Sequence, residues 1–162
     1  MRPLALKTIG LLIASLLVAM MLTVAPLPTW ANWLRPLWVV MVVIYWVYRM
    51  PYMINVGMAW ILGLLLDVLY DAILGEHALA LVVVAYVITE LRSKMQFFSL
   101  WQQTGCILLA LFIYQTTVFF LEGVLGHAPT TWWYWLPCLT SALFWPWVFI
   151  ILQSCEHRVG NT

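Results

Sequence analysis

Charge is what this sequence has least of. Seven Lys or Arg and six Asp or Glu are its only formally charged side chains in 162 residues, or 8%, against about 25% in a soluble domain. Apolar residues reach 65% and mean hydropathy is +1.00, which leaves too little polar surface to cover a water-soluble globule. A net charge of +1 provides no long-range pull toward nucleic acid. Polar stretches long enough to build a separate soluble domain are missing, so the length fits one compact membrane domain, residues 1–162. The three cysteines, Cys106, Cys138 and Cys155, are too few and too scattered for a disulfide framework or a zinc-ligand spacing. Cys106 and Cys155 are expected near the cytoplasmic face, where thiols stay reduced. Nucleophile–base pairs, phosphate loops, dinucleotide fingerprints and haem attachment motifs are missing too. The pair Ser154 and His157 reads as a frayed helix end. Neither an enzyme nor a cofactor is expected.

The few charges are ordered. Arg2, Lys7, Arg49, Arg92, Lys94 and Arg158 form four basic clusters separated by apolar stretches. Arg35, then Asp71 and Glu76, then Glu122 fall between them. Such alternation marks a polytopic membrane protein whose Lys and Arg stay in the cytoplasm. The pattern predicts an all-α integral membrane protein with six transmembrane helices, spanning about 8–25, 36–50, 55–70, 77–91, 104–121 and 131–153. Both termini then lie in the cytoplasm and Arg35 is the lone outer basic residue. Trp30, Trp33 and Trp38 mark one outer interface and Trp132, Trp133 and Trp135 another, since indole rings prefer the headgroup level. Trp101 is expected in a cytoplasmic loop. Arg2 and Lys7 before an apolar run also suggest a signal peptide. The run is longer than the usual ~7–15 residues, however, and Thr29-Trp30-Ala31 is a poor cleavage site.

Pro26 and Pro28 stop the first span, Pro36 suits the first position of the second, Asn55 suits an N-cap of the third, and Pro146 should kink the sixth. The second and fourth spans are short. The thirteen uncharged residues between Arg35 and Arg49 cover only about 20 Å, and the same number separates Glu76 from Glu90. Snorkelling of Arg35 and Arg49, pairing of Glu90 with Lys94 and bilayer thinning would make up the difference. A re-entrant segment is the alternative.

Asp67 is the residue with the most to explain, because a carboxylate near a membrane core costs a few kcal/mol unless paired or wetted. Gly63, Asp67 and Asp71 lie one turn apart on one face. They suggest a helix-contact stripe with acidic groups at its outer end, serving as a proton or cation site or as a contact for a partner's basic group. A solvated helix end is the simpler reading, and it suits Asp71 better than Asp67. Arg35 is expected either to neutralise Asp67 or Asp71, to hold a partner's carboxylate, or to contact lipid phosphate. Gly57 and Gly63 allow close helix approach. His77 and His127, near Glu76 and Glu122, lack a metal-ligand spacing.

Arg35-Pro36-Leu37-Trp38, Tyr45-Trp46, Pro51, Asn55-Val56-Gly57, Gly63-Leu64-Leu65-Leu66-Asp67, Leu74-Gly75 and Ala78-Leu79 follow one another in an order that resembles the rod-shape-determining MreD family of bacterial inner-membrane proteins. Trp101-Gln102-Gln103 and Trp145-Pro146-Trp147 extend the likeness, whereas Glu76-His77 and the polar tail look individual to this chain. The resemblance implies a non-enzymatic component of the cell-elongation machinery. Its partners would be the single-span protein MreC, directly or indirectly the actin-like MreB and the lateral-wall peptidoglycan synthases. It also implies a fold similar to the six-helix substrate-binding subunits of energy-coupling vitamin transporters, which says little about ligands. Arg35, Pro36, Trp38, Asn55, Gly57, Gly63, Asp67, Asp71 and Gly75 are the structural or partner-contact candidates. Two other functions fit the composition. One is a transporter subunit with an outer pocket lined by Trp60, Tyr70 and Asp67. The other is an enzyme acting on lipid-linked wall precursors through Asp67, Asp71 and an outer histidine.

Overall fold

A computed structural model describes residues 3–26, 28, 33–126 and 131–161, with side chains from Lys7 to Arg158. Arg2, the Thr29-Trp30-Ala31 segment and His127 lie outside the described residues. Among the described residues there are six α-helices: α1 Pro3–Val24, α2 Trp38–Arg49, α3 Val56–Tyr70, α4 Glu76–Met95, α5 Leu100–Val124 and α6 Leu136–Asn161. A short 3-10 turn, Trp132–Trp135, leads into α6. Three segments are long and apolar enough to cross a membrane: Lys7–Val24, Leu100–Val124 and Trp132–Arg158. α2 and α3 are shorter apolar helices, and α4 carries charges at both ends.

The shortness of α2 has a physical reason. Every residue from Val39 to Val47 is buried, as expected of a helix that is apolar all round and enclosed by protein. Its neighbours are α1, α4 and α6, while α3 packs on α4, α4 on α5 and α5 on α6. α2 is therefore the axis of the bundle. Polar bonds fasten it along its length. The Leu37 N–H donates to Ser141 Oγ at 2.7 Å, and Trp46 Nε1 donates to Ser15 Oγ at 2.9 Å. At its far end Glu156 Oε2 accepts from both Tyr45 Oη at 2.8 Å and Arg49 Nε at 2.9 Å. Arg49 is thus held by a carboxylate rather than only snorkelling.

Several helix ends differ from the sequence expectation. α2 starts at Trp38, so Pro36 stands before the helix, its carbonyl accepting from Trp38 N–H at 2.9 Å. The reason is a tight turn at Leu37, φ −80° and ψ 67°, whose own N–H is taken by Ser141 on α6. α5 starts at Leu100 because Gln102 Oε1 accepts the Ser99 N–H at 3.0 Å, which puts Trp101 in the helix rather than a loop. α6 runs through Pro146 as one helix. No Glu90–Lys94 ion pair forms among the described residues, and both side chains are exposed. Asn55 caps α3, its Oδ1 accepting from Met58 N–H at 3.1 Å.

α3 and α4 approach each other closely at Gly63. A Cβ placed there would lie 2.2 Å from Ala78 Cα and 2.7 Å from Ala78 N, so only a hydrogen fits between the backbones. At Gly57 a Cβ would meet nothing but Asn55 Oδ1 at 3.3 Å. Gly57 therefore marks no helix crossing, contrary to the expectation for both glycines.

Candidate functional site

The end of the bundle that carries Arg35 gathers most of the buried polar groups. Asp67, in the last turn of α3, has no exposed surface. Its Oδ2 accepts from Gly75 N–H at 2.7 Å. Its Oδ1 accepts from His77 N–H at 2.7 Å and lies 3.0 Å from His77 Nδ1. A carboxylate on α3 thus caps the N-terminus of α4, where the free N–H groups and the helix dipole favour negative charge. Glycine is required at position 75 because the N-cap backbone has φ +105°. Asp71 takes the left-handed position after α3, with φ 54°. Ala72 N–H donates to the Asp67 carbonyl at 2.9 Å and Asp71 N–H to that of Val68 at 3.5 Å, which is a Schellman ending. The stripe Gly63, Asp67, Asp71 therefore closes the α3–α4 hairpin: Gly63 by contact, Asp67 by capping, Asp71 by backbone conformation.

Arg35 contacts neither aspartate directly. Its terminal nitrogens donate to the carbonyls of Thr23 and, at 2.6 Å, Ala25, the free acceptors at the end of α1. A guanidinium at a helix C-terminus satisfies those carbonyls and opposes the dipole, which explains an arginine at this depth without lipid phosphate.

Beside the hairpin lie two adjoining hollows that share Tyr70, His77 and Glu122. The inner one, about 200 Å3, runs between Arg35-Pro36-Leu37, Tyr114 and Gln115 of α5, and Tyr134 and Pro137. The outer one, about 410 Å3, adds Asp71 and Glu76 to its rim. The His77 ring stacks on Tyr70 with centroids 5.0 Å apart, and Asp67 fixes its Nδ1 edge. Gln115 Nε2 donates to the Tyr134 carbonyl at 3.2 Å and ties α5 to the 3-10 turn. Glu122 stands beside the Tyr134 hydroxyl. Even so, Arg35 Nε, Glu122 Oε2 and the Tyr134 hydroxyl are buried without a hydrogen-bond partner of ordinary geometry among the described residues. Bonds left unmade by buried groups of this kind cost roughly 1–3 kcal/mol each, and the inner hollow brings these three together with the phenols of Tyr70 and Tyr114.

The nine candidate residues do not form one site. Arg35 and Pro36 line the inner hollow, Asp71 the outer, and Gly63, Asp67 and Gly75 build the wall behind them. Asn55 and Gly57 lie at the opposite end of α3. Trp38 packs on Phe144 of α6 with centroids 5.6 Å apart. The expected outer pocket exists with a different lining. Tyr70 takes part, but Trp60 faces outward and is 42% exposed, while Asp67 is sealed off. For an enzyme, both Asp67 oxygens are already committed to α4. Sequence reasoning missed Tyr114, Gln115 and Tyr134. A signal was present on α5, where Tyr114, Val118 and Glu122 recur one turn apart and Gln115 adjoins them, a polar face within an apolar span.

Comparison with known proteins agrees with the sequence pattern. A family profile described as rod shape-determining protein MreD matches residues 6–155. A rod shape-determining protein MreD from Haemophilus influenzae is 34% identical over 142 residues, 88% of each chain. No solved structure matches the chain.

Proposed function

The chain belongs to the MreD family of rod shape-determining proteins, and on that premise we propose that it is a non-enzymatic scaffold of the bacterial elongation complex, holding MreC at the twin hollows. In this reading all six helices cross the inner membrane. Basic residues support the orientation: Lys7, Arg49, Arg92, Lys94 and Arg158 belong to the helix ends opposite Arg35, which the positive-inside tendency puts in the cytoplasm together with both termini. The hollows then open outward. MreB and the lateral-wall peptidoglycan synthases are reached directly or through MreC.

The observation that carries this reading is the cluster of Arg35 Nε, Glu122 Oε2 and the Tyr134 hydroxyl, buried without a hydrogen bond of ordinary geometry, with Glu122 and Tyr134 side by side. The rim adds Asp71 and Glu76, so the hollows favour a guest with donors and positive charge, such as a membrane-proximal stretch of chain. The rigid Asp67-capped hairpin keeps one wall fixed, which lowers the ordering cost of binding.

The test is co-purification of MreC in mild detergent with wild type, Glu122→Gln and Tyr134→Phe. These variants change two members of that cluster without touching the hairpin. Capture of MreC reduced roughly tenfold, about 1.4 kcal/mol, is expected for Glu122→Gln with helical content unchanged. Undiminished capture by both variants would sink the assignment.

A further inference from the structure

At the opposite end of the bundle, a small cleft of about 160 Å3 is lined by Tyr48 and Arg49 of α2, Arg92 of α4, and Gln96 just beyond α4. Two guanidiniums converge on it and no carboxylate lines it. Arg49 is already held in place, because its Nε donates to Glu156, which also receives Tyr45. That anchoring fixes the side chain while its terminal nitrogens make no other hydrogen bond among the described residues. Arg49 keeps its ion pair with Glu156, whereas Arg92 has no ion pair among the described residues. Glu156 offsets the charge of Arg49 and the carbonyl ends of α2 and α4 carry about half a charge each, so Arg92 supplies the positive charge of the cleft that has no carboxylate partner and Arg49 contributes its terminal N–H donors.

The depth of the cleft in a membrane is marked by its surroundings. Tyr52, in the turn after α2, is 94% exposed, and Phe97, just after α4, is 83% exposed. Aromatic side chains bared at a helix end are suited to the headgroup layer. We infer that the Arg49–Arg92 cleft binds a phosphate group, that of an anionic phospholipid headgroup or of a soluble phosphate ester. The paired guanidiniums supply forked donors that match phosphate oxygens, and Tyr48 and Gln96 supply neutral polar contacts. Basic pockets between helix ends are a recognised means of holding lipid headgroups. The inference needs only that this end lies at a membrane surface. It is independent of which side that surface faces and of the partner reading above.

The experiment uses the full chain in a neutral detergent, with bound lipid counted by native mass spectrometry and thermal unfolding followed in parallel. The probes are phosphatidylglycerol, phosphatidylcholine and glycerol 3-phosphate. Phosphatidylglycerol is expected to bind wild type and raise its unfolding temperature, phosphatidylcholine less so. Arg92→Gln should lower the bound fraction about fivefold, whereas Lys94→Gln, which removes the same charge outside the cleft, should leave it unchanged. Glycerol 3-phosphate giving the same stabilisation as the lipid would identify a soluble phosphate ester as the source. Equal lipid binding by wild type and Arg92→Gln, or equal loss in Arg92→Gln and Lys94→Gln, would overturn the inference.

Discussion

Replacing Gly63 by alanine adds one methyl group where the α3 and α4 backbones nearly touch, and the outcome follows from distances. The new Cβ would sit 2.2 Å from Ala78 Cα, whereas carbon atoms rest at about 3.5–4.0 Å. α3 and α4 must therefore part by about 1.3 Å or more. The Asp67 bonds to Gly75 and His77 N–H, each 2.7 Å, would stretch toward about 4 Å, beyond hydrogen-bond range. Overpacking alone costs about 1–3 kcal/mol, and loosening a buried charged cap adds a similar amount. The better helix propensity of alanine returns only about 1 kcal/mol. The expected loss is about 3 kcal/mol, roughly a hundredfold in the unfolding equilibrium. Unfolding by titration with sodium dodecyl sulfate in mixed micelles, followed by tryptophan fluorescence, measures it. Gly57→Ala is the matched control and should be neutral or slightly stabilising. Ala78→Gly should fail to rescue Gly63→Ala, because the clash is with the Ala78 backbone. Equal stability of the two alanine variants would refute the reasoning.

Asp67→Asn should cost about 2–4 kcal/mol, since one amide cannot accept from three donors and the α4 end loses its charge. The same titration should show His77→Ala losing less, because the backbone bonds survive. Asp71→Gly should gain about 0.5–1 kcal/mol by relieving the left-handed residue, seen as a shifted midpoint. Glu156→Gln should cost about 1 kcal/mol, and little further loss should appear when Arg49→Gln is added, because the two residues share one bond.

The wide features of the fold were legible because they follow from composition and spacing. Apolar runs between charge clusters foretell helices in a bilayer, and Asn55 before an apolar helix foretells its cap. The short second helix resisted interpretation because its uncharged length was measured against lipid. Its real surroundings are α1, α4 and α6, a fact that lives in packing. Asp67 stood out as a costly carboxylate, but its partners are backbone N–H groups eight and ten residues on, and backbone donors leave no mark in a sequence. Arg35 misled for the same reason: its acceptors are the Thr23 and Ala25 carbonyls. The hollows were hidden because they join α5 to a 3-10 turn across some twenty residues. Glu122 stood out as an acidic group, whereas Gln115 and Tyr134 drew no notice, the latter sitting among the tryptophans that mark an interface.

The claim that the hollows hold MreC is tested most directly by placing a photo-crosslinking amino acid at Tyr134 and, as a reference, at Ile150 on the exposed face of α6. After irradiation of the complex in native membranes, the account predicts an MreC adduct from position 134 and little from position 150. Adducts of equal yield from both positions, or none from 134 while MreC still co-purifies, would contradict it.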